Sequence, residues 1–427
     1  MPACYDRDEM TRRQLVGRGI GAGLTLYAAK LLTVDRLVEV AQAQAAPEAP
    51  VLVSVFLPGG CDLLAALPPL EQLGRLNDLR SSLNVGDAVS PLPNESRLGF
   101  HPALADGLNG GVVGLFGNGR IGLLPGIDYA NPDLSHFHSR NFWERGIVTL
   151  QYGSGWLGRW LDVHGTATNP LQGVSLDERL SPILAPDRVP VSAVTDPEAA
   201  ALRFAGISGA DTAKADAAWT RMSSLRRAAP SAQAAMDVAR ATQAVGRLLA
   251  PVGDAALAAP VPYPEGEFAG RLRTLAALIS QPLGIRVASV DAPGEYDTHD
   301  NQAADLSDAL GELSRGLSAF QADLEARGVA DRVLTFVWSE FGRRPRSNRS
   351  GGTDHGAGGM AWVQGTRVAS GILSDFPDLS RLDDHDNLAV TVDFRSVYAS
   401  LLEQWLASDA TQILPDAANA GRLQLVR

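Results

Sequence analysis

Val51-Leu52-Val53-Ser54-Val55-Phe56-Leu57, halted by Pro58-Gly59-Gly60, is the segment from which the architecture can be built. An apolar run this short, stopped by turn residues, reads as a strand of a parallel sheet buried on both faces. Three further runs look alike: Ile121-Gly122-Leu123-Leu124 before Pro125-Gly126, Ile285 to Val290 before Asp291, and Val333 to Trp338 before Ser339-Glu340. Between the last two, Leu306, Leu310, Leu313, Leu317, Phe320 and Leu324 recur at alternating steps of four and three, the stripe of a helix with one apolar face. Strand, helix, strand is a βαβ unit, and several such units predict an α/β fold with a mostly parallel central sheet between two helical layers. A second helix is expected from Phe394 to Leu406, with Val397, Leu401, Leu402 and Trp405 inward. Residues 196–262 are alanine-rich and punctuated by proline. They read as a helical insertion or cap within a single domain spanning 46–427.

The chain has 427 residues, 45% of them apolar and 20% charged, enough for a large core and incompatible with wholesale disorder. The 37 basic residues against 48 acidic give a net charge of −11, which argues against general nucleic-acid binding. No uninterrupted apolar run is long enough for a membrane span. At the N-terminus, Arg12-Arg13 precede a moderately apolar, glycine-rich run, and Ala41-Gln42-Ala43-Gln44-Ala45 offers a small-residue cleavage site. Residues 1–45 are therefore expected to be a twin-arginine signal, recognised by the twin-arginine translocase, and the mature protein to be periplasmic or extracellular. Cys4 leaves with that leader. Cys61 then has no disulfide partner, and a cysteine-ligated structural zinc is excluded.

In open parallel sheets ligands bind beyond the carboxyl ends of the strands. The loops expected there carry Asp62, then Ser135-His136-Phe137-His138, then Asp297-Thr298-His299, then Glu340 to Arg344 and Asp354-His355. Four of the seven histidines, His136, His138, His299 and His355, fall in these loops. Carboxylate plus imidazole suits Zn²⁺, Mn²⁺ or a similar ion. Asp297 and His299 can face one point, because positions i and i+2 share a side in extended chain. Singly, each residue has a plainer reading: a turn aspartate, a helix cap, a surface histidine, an ion pair between Glu340 and Arg343 or Arg344. Ser135 precedes a plausible helix and reads either as its N-cap or as a nucleophile facing unpaired amides. No nucleotide-binding glycine loop follows a strand, so an oxidoreductase reading has little support.

Leu57-Pro58-Gly59-Gly60-Cys61-Asp62, Ser135-His136-Phe137, Gly155-Trp156-Leu157-Gly158-Arg159, Asp297-Thr298-His299, Ser339-Glu340-Phe341-Gly342-Arg343, Gly352-Thr353-Asp354-His355 and Asp393-Phe394-Arg395-Ser396-Val397-Tyr398 together resemble the DUF1501 family. The resemblance implies an alkaline phosphatase-like, three-layer αβα domain of the superfamily that holds phosphatases and sulfatases. It further implies an exported, metal-dependent hydrolase of phosphate or sulfate esters, acting on a small-molecule or polymer substrate. By that likeness Ser135 stands at the nucleophile position, and Asp62 matches the first-strand metal ligand. Asp297, His299 and His355 resemble one metal site, with Asp354 beside it, for one or two zinc or manganese ions. Glu340 stands where the superfamily usually has an Asp-His pair, and Phe341 fills the second half of that pair, which cannot bind metal. Arg343 is the expected neutraliser of substrate charge, with Arg140 and Arg344 as further candidates. The alternative is a secreted binding or assembly protein that keeps the fold with reduced or no catalysis.

Overall fold

A computed structural model describes residues 24–27, 49–83, 90–92, 95–150, 153–195, 210–225 and 228–427. The strands are β1 (Leu24–Tyr27), β2 (Val51–Phe56), β3 (Ser90–Leu92), β4 (Glu95–Phe100), β5 (Ile121–Asp128), β6 (Gly173–Ser175) and β7 (Val191–Val194). They continue with β8 (Val287–Asp291), β9 (Val333–Trp338), β10 (Gly342–Ser347), β11 (Thr353–Gly356), β12 (Gly359–Gln364), β13 (Gly371–Ile372) and β14 (Val392–Asp393). The helices are α1 (Leu63–Ala66), α2 (Leu73–Leu79), α3 (Gly111–Gly117), α4 (His136–Arg145), α5 (Trp156–His164), α6 (Ala210–Ser224), α7 (Pro230–Leu257), α8 (Glu267–Ser280), α9 (Gln302–Ala326) and α10 (Phe394–Gln404).

Among the described residues a ten-stranded sheet runs β1-β7-β6-β8-β2-β9-β12-β5-β13, with β14 also on β5. All four strands expected from the sequence lie in it. β2 pairs in parallel with β8 on one side and β9 on the other. β12 is antiparallel to both β9 and β5, which leaves β5 parallel to β9. The carboxyl ends of β2, β5, β8 and β9 therefore share one edge of the sheet. β10 and β11 form a separate hairpin.

Side chains alternate across the sheet, and the two faces carry two cores. Val51, Val53 and Val55 belong to one, with Leu249 of α7, Leu275 of α8 and Leu313 of α9. Leu52 and Phe56 belong to the other, with Trp143 of α4, Trp156 of α5 and Leu401 of α10. Helix, sheet and helix make three layers. The expected stripe of α9 is buried from Leu306 to Leu324, as is that of α10. Within 196–262, α6 and α7 are helical as expected, whereas 196–209 and 226–227 lie outside the described residues. Of the expected leader, Leu24–Tyr27 is described, as a strand paired antiparallel with β7; the remainder of 1–45 lies outside the described residues. No described helix is long and apolar enough to cross a membrane.

Candidate metal centre

The loop after β2 turns sharply at Gly59, whose φ of +111° is a conformation that L side chains rarely adopt. A Cβ there would run into the Asp297 amide. This close approach brings the loop after β8 against the loop after β2. Glu340, after β9, locks the arrangement. Its carboxylate accepts from Gly59 N at 3.0 Å and Gly60 N at 3.1 Å. It also accepts from His136 Nδ1 at 2.8 Å, and the residue is buried.

With Nδ1 donating to the Glu340 carboxylate, the neutral form of His136 has its lone pair on Nε2. His355, on β11, is fixed the same way: its Nδ1 lies 2.8 Å from the Leu134 carbonyl oxygen, which also can only accept. His355 Nε2 is then a second lone pair, 3.1 Å from Asp297 Oδ1. His136 Nε2 lies 3.3 Å from Asp297 Oδ2, yet it is buried and has no hydrogen-bond partner among the described residues. Two lone pairs facing at that distance repel unless a proton or a cation lies between them.

The ligand atoms of His136, Asp297 and His355 all lie within 4.8 Å of one another. Donors about 2.1 Å from a tetrahedral ion sit roughly 3.4 Å apart, close to the spacings from Asp297. Carboxylate or carbonyl acceptors behind both imidazoles are the usual orienting contacts of histidine metal ligands. The donor set therefore fits a divalent ion such as Zn²⁺ or Mn²⁺. His299 lies at the edge of this group, with Nε2 3.0 Å from both His355 Nε2 and Asp297 Oδ1, but is not one of the three side chains whose ligand atoms converge.

Burial pushes the Asp297 carboxyl up, but the Arg343 bond and charge, with help from His355 and His136, bring it down to about 2. The bond to Glu340 raises His136 against the opposing effect of burial, which favours a proton on Nε2, so an ion bound there would displace that proton. Burial dominates at His355 and lowers it.

The other residues expected at the site fall around this group. Asp62 is not beside the imidazoles. It caps α1, accepting from Leu64 N and Ala65 N, and its oxygens also take Arg80 Nη1 at 2.6 Å and Gln302 Nε2 at 2.5 Å. A buried carboxylate so fully engaged, against a buried guanidinium, offers nothing to an ion. Glu340 stands behind His136 as its orienting acceptor, where the sequence reading had a direct ligand. Asp354 is exposed and orients His299 from 3.3 Å. Arg343, expected to meet substrate, is buried and donates to the backbone oxygens of Gly59, Gly60, Tyr296 and Thr353 as well as to Asp297. Its fork is used up inside the protein, so its link to the site runs through Asp297. Arg140 is held by Glu144 at 2.8 Å and Asp291 at 3.4 Å. Arg344 donates to the His355 carbonyl at 3.3 Å. His138 turns to Asp133, 2.7 Å away. Cys61 is fully buried, and burial pushes its thiol up, so it is a packed neutral side chain.

Ser135 is the N-cap residue of α4, with no side-chain capping bond. Asp133 Oδ1 accepts its amide at 2.9 Å. The hydroxyl has no hydrogen-bond partner among the described residues. Ser135 lies between Leu134, which holds His355, and His136, so the chain tethers it to two of the three metal-fitting side chains. Phe341 is buried with its ring 4.8 Å from the rings of both His136 and His355, an apolar backing to the group.

A family model described as "Protein of unknown function (DUF1501)" matches residues 128–412, about two thirds of the chain. The chain belongs to the DUF1501 family. Ser135, His136, Asp297, His299, Glu340 and His355 of this DUF1501 member all fall inside the matched span; Asp62 and Arg80 fall outside it. No curated protein and no solved structure matches the chain.

Proposed function

We propose that this DUF1501 member is an exported, metal-dependent hydrolase of phosphate or sulfate esters, with Ser135 as the nucleophile. The supporting observation is the His136, Asp297 and His355 group, in which both imidazoles are oriented to present Nε2 lone pairs. Zinc or manganese is the expected ion, and the likeness to alkaline phosphatase-like hydrolases supplies the reaction class. A bound ion would polarise the ester oxygen and lower the pKa of a hydroxyl presented to it.

The protein's own groups have distinct tasks in this reading. The Ser135 Oγ attacks the phosphorus or sulfur, and the bond to the leaving alcohol oxygen breaks as the new one forms. The serine proton passes to solvent and the leaving oxygen takes one in return. Water then attacks the phosphorus or sulfur of the phosphoseryl or sulfoseryl ester, and the bond to Ser135 Oγ breaks as that oxygen takes up a proton. The first-turn amides of α4, left uncapped by a side chain, favour the negative charge that develops beside them. Glu340 and the Leu134 carbonyl hold the imidazoles, and Arg343 holds Asp297 ionised.

Metal analysis of purified protein, paired with hydrolysis of nitrophenyl phosphate and sulfate, tests the proposal. Ser135→Ala should keep the ion and lose turnover, whereas His136→Ala should lose both. No ion retained and no hydrolysis with any added divalent metal would overturn it. A second reading is favoured by one observation, the buried Phe341 ring where a second cation site would need an imidazole. It makes the protein a secreted binding or assembly component, and it expects a bound ion with no ester turned over.

A further inference from the structure

The cleft beside the candidate metal centre has a volume of about 610 Å³ and reaches from His136 and Asp297 to Arg140 and Phe137. Two features of this cleft bear on what it can bind. The first is its charge. Glu144, Glu295, Asp297 and Glu340 all line it. Arg140 is the one guanidinium among the lining residues, and Glu144 at 2.8 Å and Asp291 at 3.4 Å already neutralise it while it lies over the Phe56 ring. Arg343 is spent on backbone oxygens and Asp297. With a divalent ion bound, the guanidiniums of Arg140 and Arg343 and the carboxylates of Asp297, Glu340, Glu144, Asp291 and Glu295 would leave the neighbourhood close to neutral, with one negative charge over when all five are ionised. Such surroundings hold no surplus positive charge for the second charge of a doubly charged ester, so a singly charged ester is favoured.

The second feature is Phe137. It is 88% exposed, the most exposed large apolar side chain among the described residues, and it stands in the first turn of α4 directly after His136. An apolar ring held in water at the mouth of a cleft gains by covering itself with a flat partner.

We infer that the site takes singly charged esters, phosphate diesters or sulfate monoesters, whose leaving group lays a flat apolar face on Phe137, and that it discriminates against phosphate monoesters. This deepens the hydrolase reading and rests on it. The diester and the sulfate share the chemistry that matters here, one negative charge at the reacting centre, and the assay distinguishes them.

The test uses the full chain loaded with zinc or manganese and three substrates with one leaving group: bis(4-nitrophenyl) phosphate, 4-nitrophenyl sulfate and 4-nitrophenyl phosphate. The expected result is kcat/KM for one of the first two exceeding that for the third by about tenfold or more. Glu295→Gln should narrow that ratio, because it removes one wall charge. Phe137→Ala should raise KM for the preferred substrate about threefold to tenfold with kcat nearly unchanged, and Phe137→Trp should restore it. Preference for the phosphate monoester, or an unchanged KM in Phe137→Ala, overturns the inference while the hydrolase reading stands. Hydrolysis of none of the three sinks the hydrolase reading and the inference with it.

Discussion

His136 Nε2 is buried, lacks a hydrogen-bond partner among the described residues, and faces a carboxylate oxygen. An arrangement of that kind costs stability unless a proton or an ion occupies it. Glu340→Gln should therefore weaken ion binding by about 10–100-fold, because it disturbs the acceptor that sets the His136 tautomer; equilibrium dialysis against a competing chelator reads this directly. Asp62 provides the contrast. Asp62→Asn breaks a buried pair with Arg80, so thermal unfolding should come at a markedly lower temperature, with a loss of about 3–5 kcal/mol. Ion content per folded chain should be unchanged, and loss of the ion in a still-folded Asp62→Asn protein would contradict the assignment. Asp297, His299 and His355 were legible in the sequence as loop residues beyond strands. His136 stands among the same loop histidines, but nothing in its local sequence separates it from His138, which turns to Asp133. Glu340 read as a ligand because nothing local shows that the amides of Gly59 and Gly60, some 280 positions away, occupy its oxygens. Arg80, the partner of Asp62, left no signal in sequence at all.

At the scale of elements, α4 places both Ser135 and His136, and its anchor is Trp143. That ring stacks on Trp338 of β9 at 5.3 Å and on Phe394 of α10 at 4.6 Å. Trp143→Ala should cost about 3–5 kcal/mol in urea unfolding, since the cavity would open between three elements. The loop after β2 makes a different demand. Gly59→Ala puts a Cβ against the Asp297 amide at a left-handed φ, so it should disrupt ion binding more than overall stability. Strands β2, β5, β8 and β9 were legible because each is an apolar run that ends in turn residues. β12 was not: its short run follows a glycine-rich stretch, and it enters antiparallel between β9 and β5. β6 and β7 span three and four residues, too short to show a period.

The whole molecule joins two cores on opposite faces of one sheet, and the candidate centre sits where four parallel strands end on a common edge. Burial in this body has a consequence for pH. Glu144, in α4, is pushed up to about 7 by burial, with Arg140 opposing. A carboxyl raised in the folded state favours the protonated form. The stability it supports is complete below its unfolded value near 4.5 and is lost as pH rises through about 7. The difference in unfolding free energy between the native protein and Glu144→Gln should therefore fall by on the order of 2–3 kcal/mol from pH 5 to pH 8, which separates this group from Asp177, itself raised to about 6. The candidate centre stands or falls on one divalent ion held by His136, Asp297 and His355. Anomalous diffraction from crystals of the zinc-loaded protein measures it most directly. The expected result is a single strong peak within about 2.0–2.2 Å of His136 Nε2, His355 Nε2 and an Asp297 oxygen. A peak elsewhere on the chain, or none at saturating zinc, would contradict it.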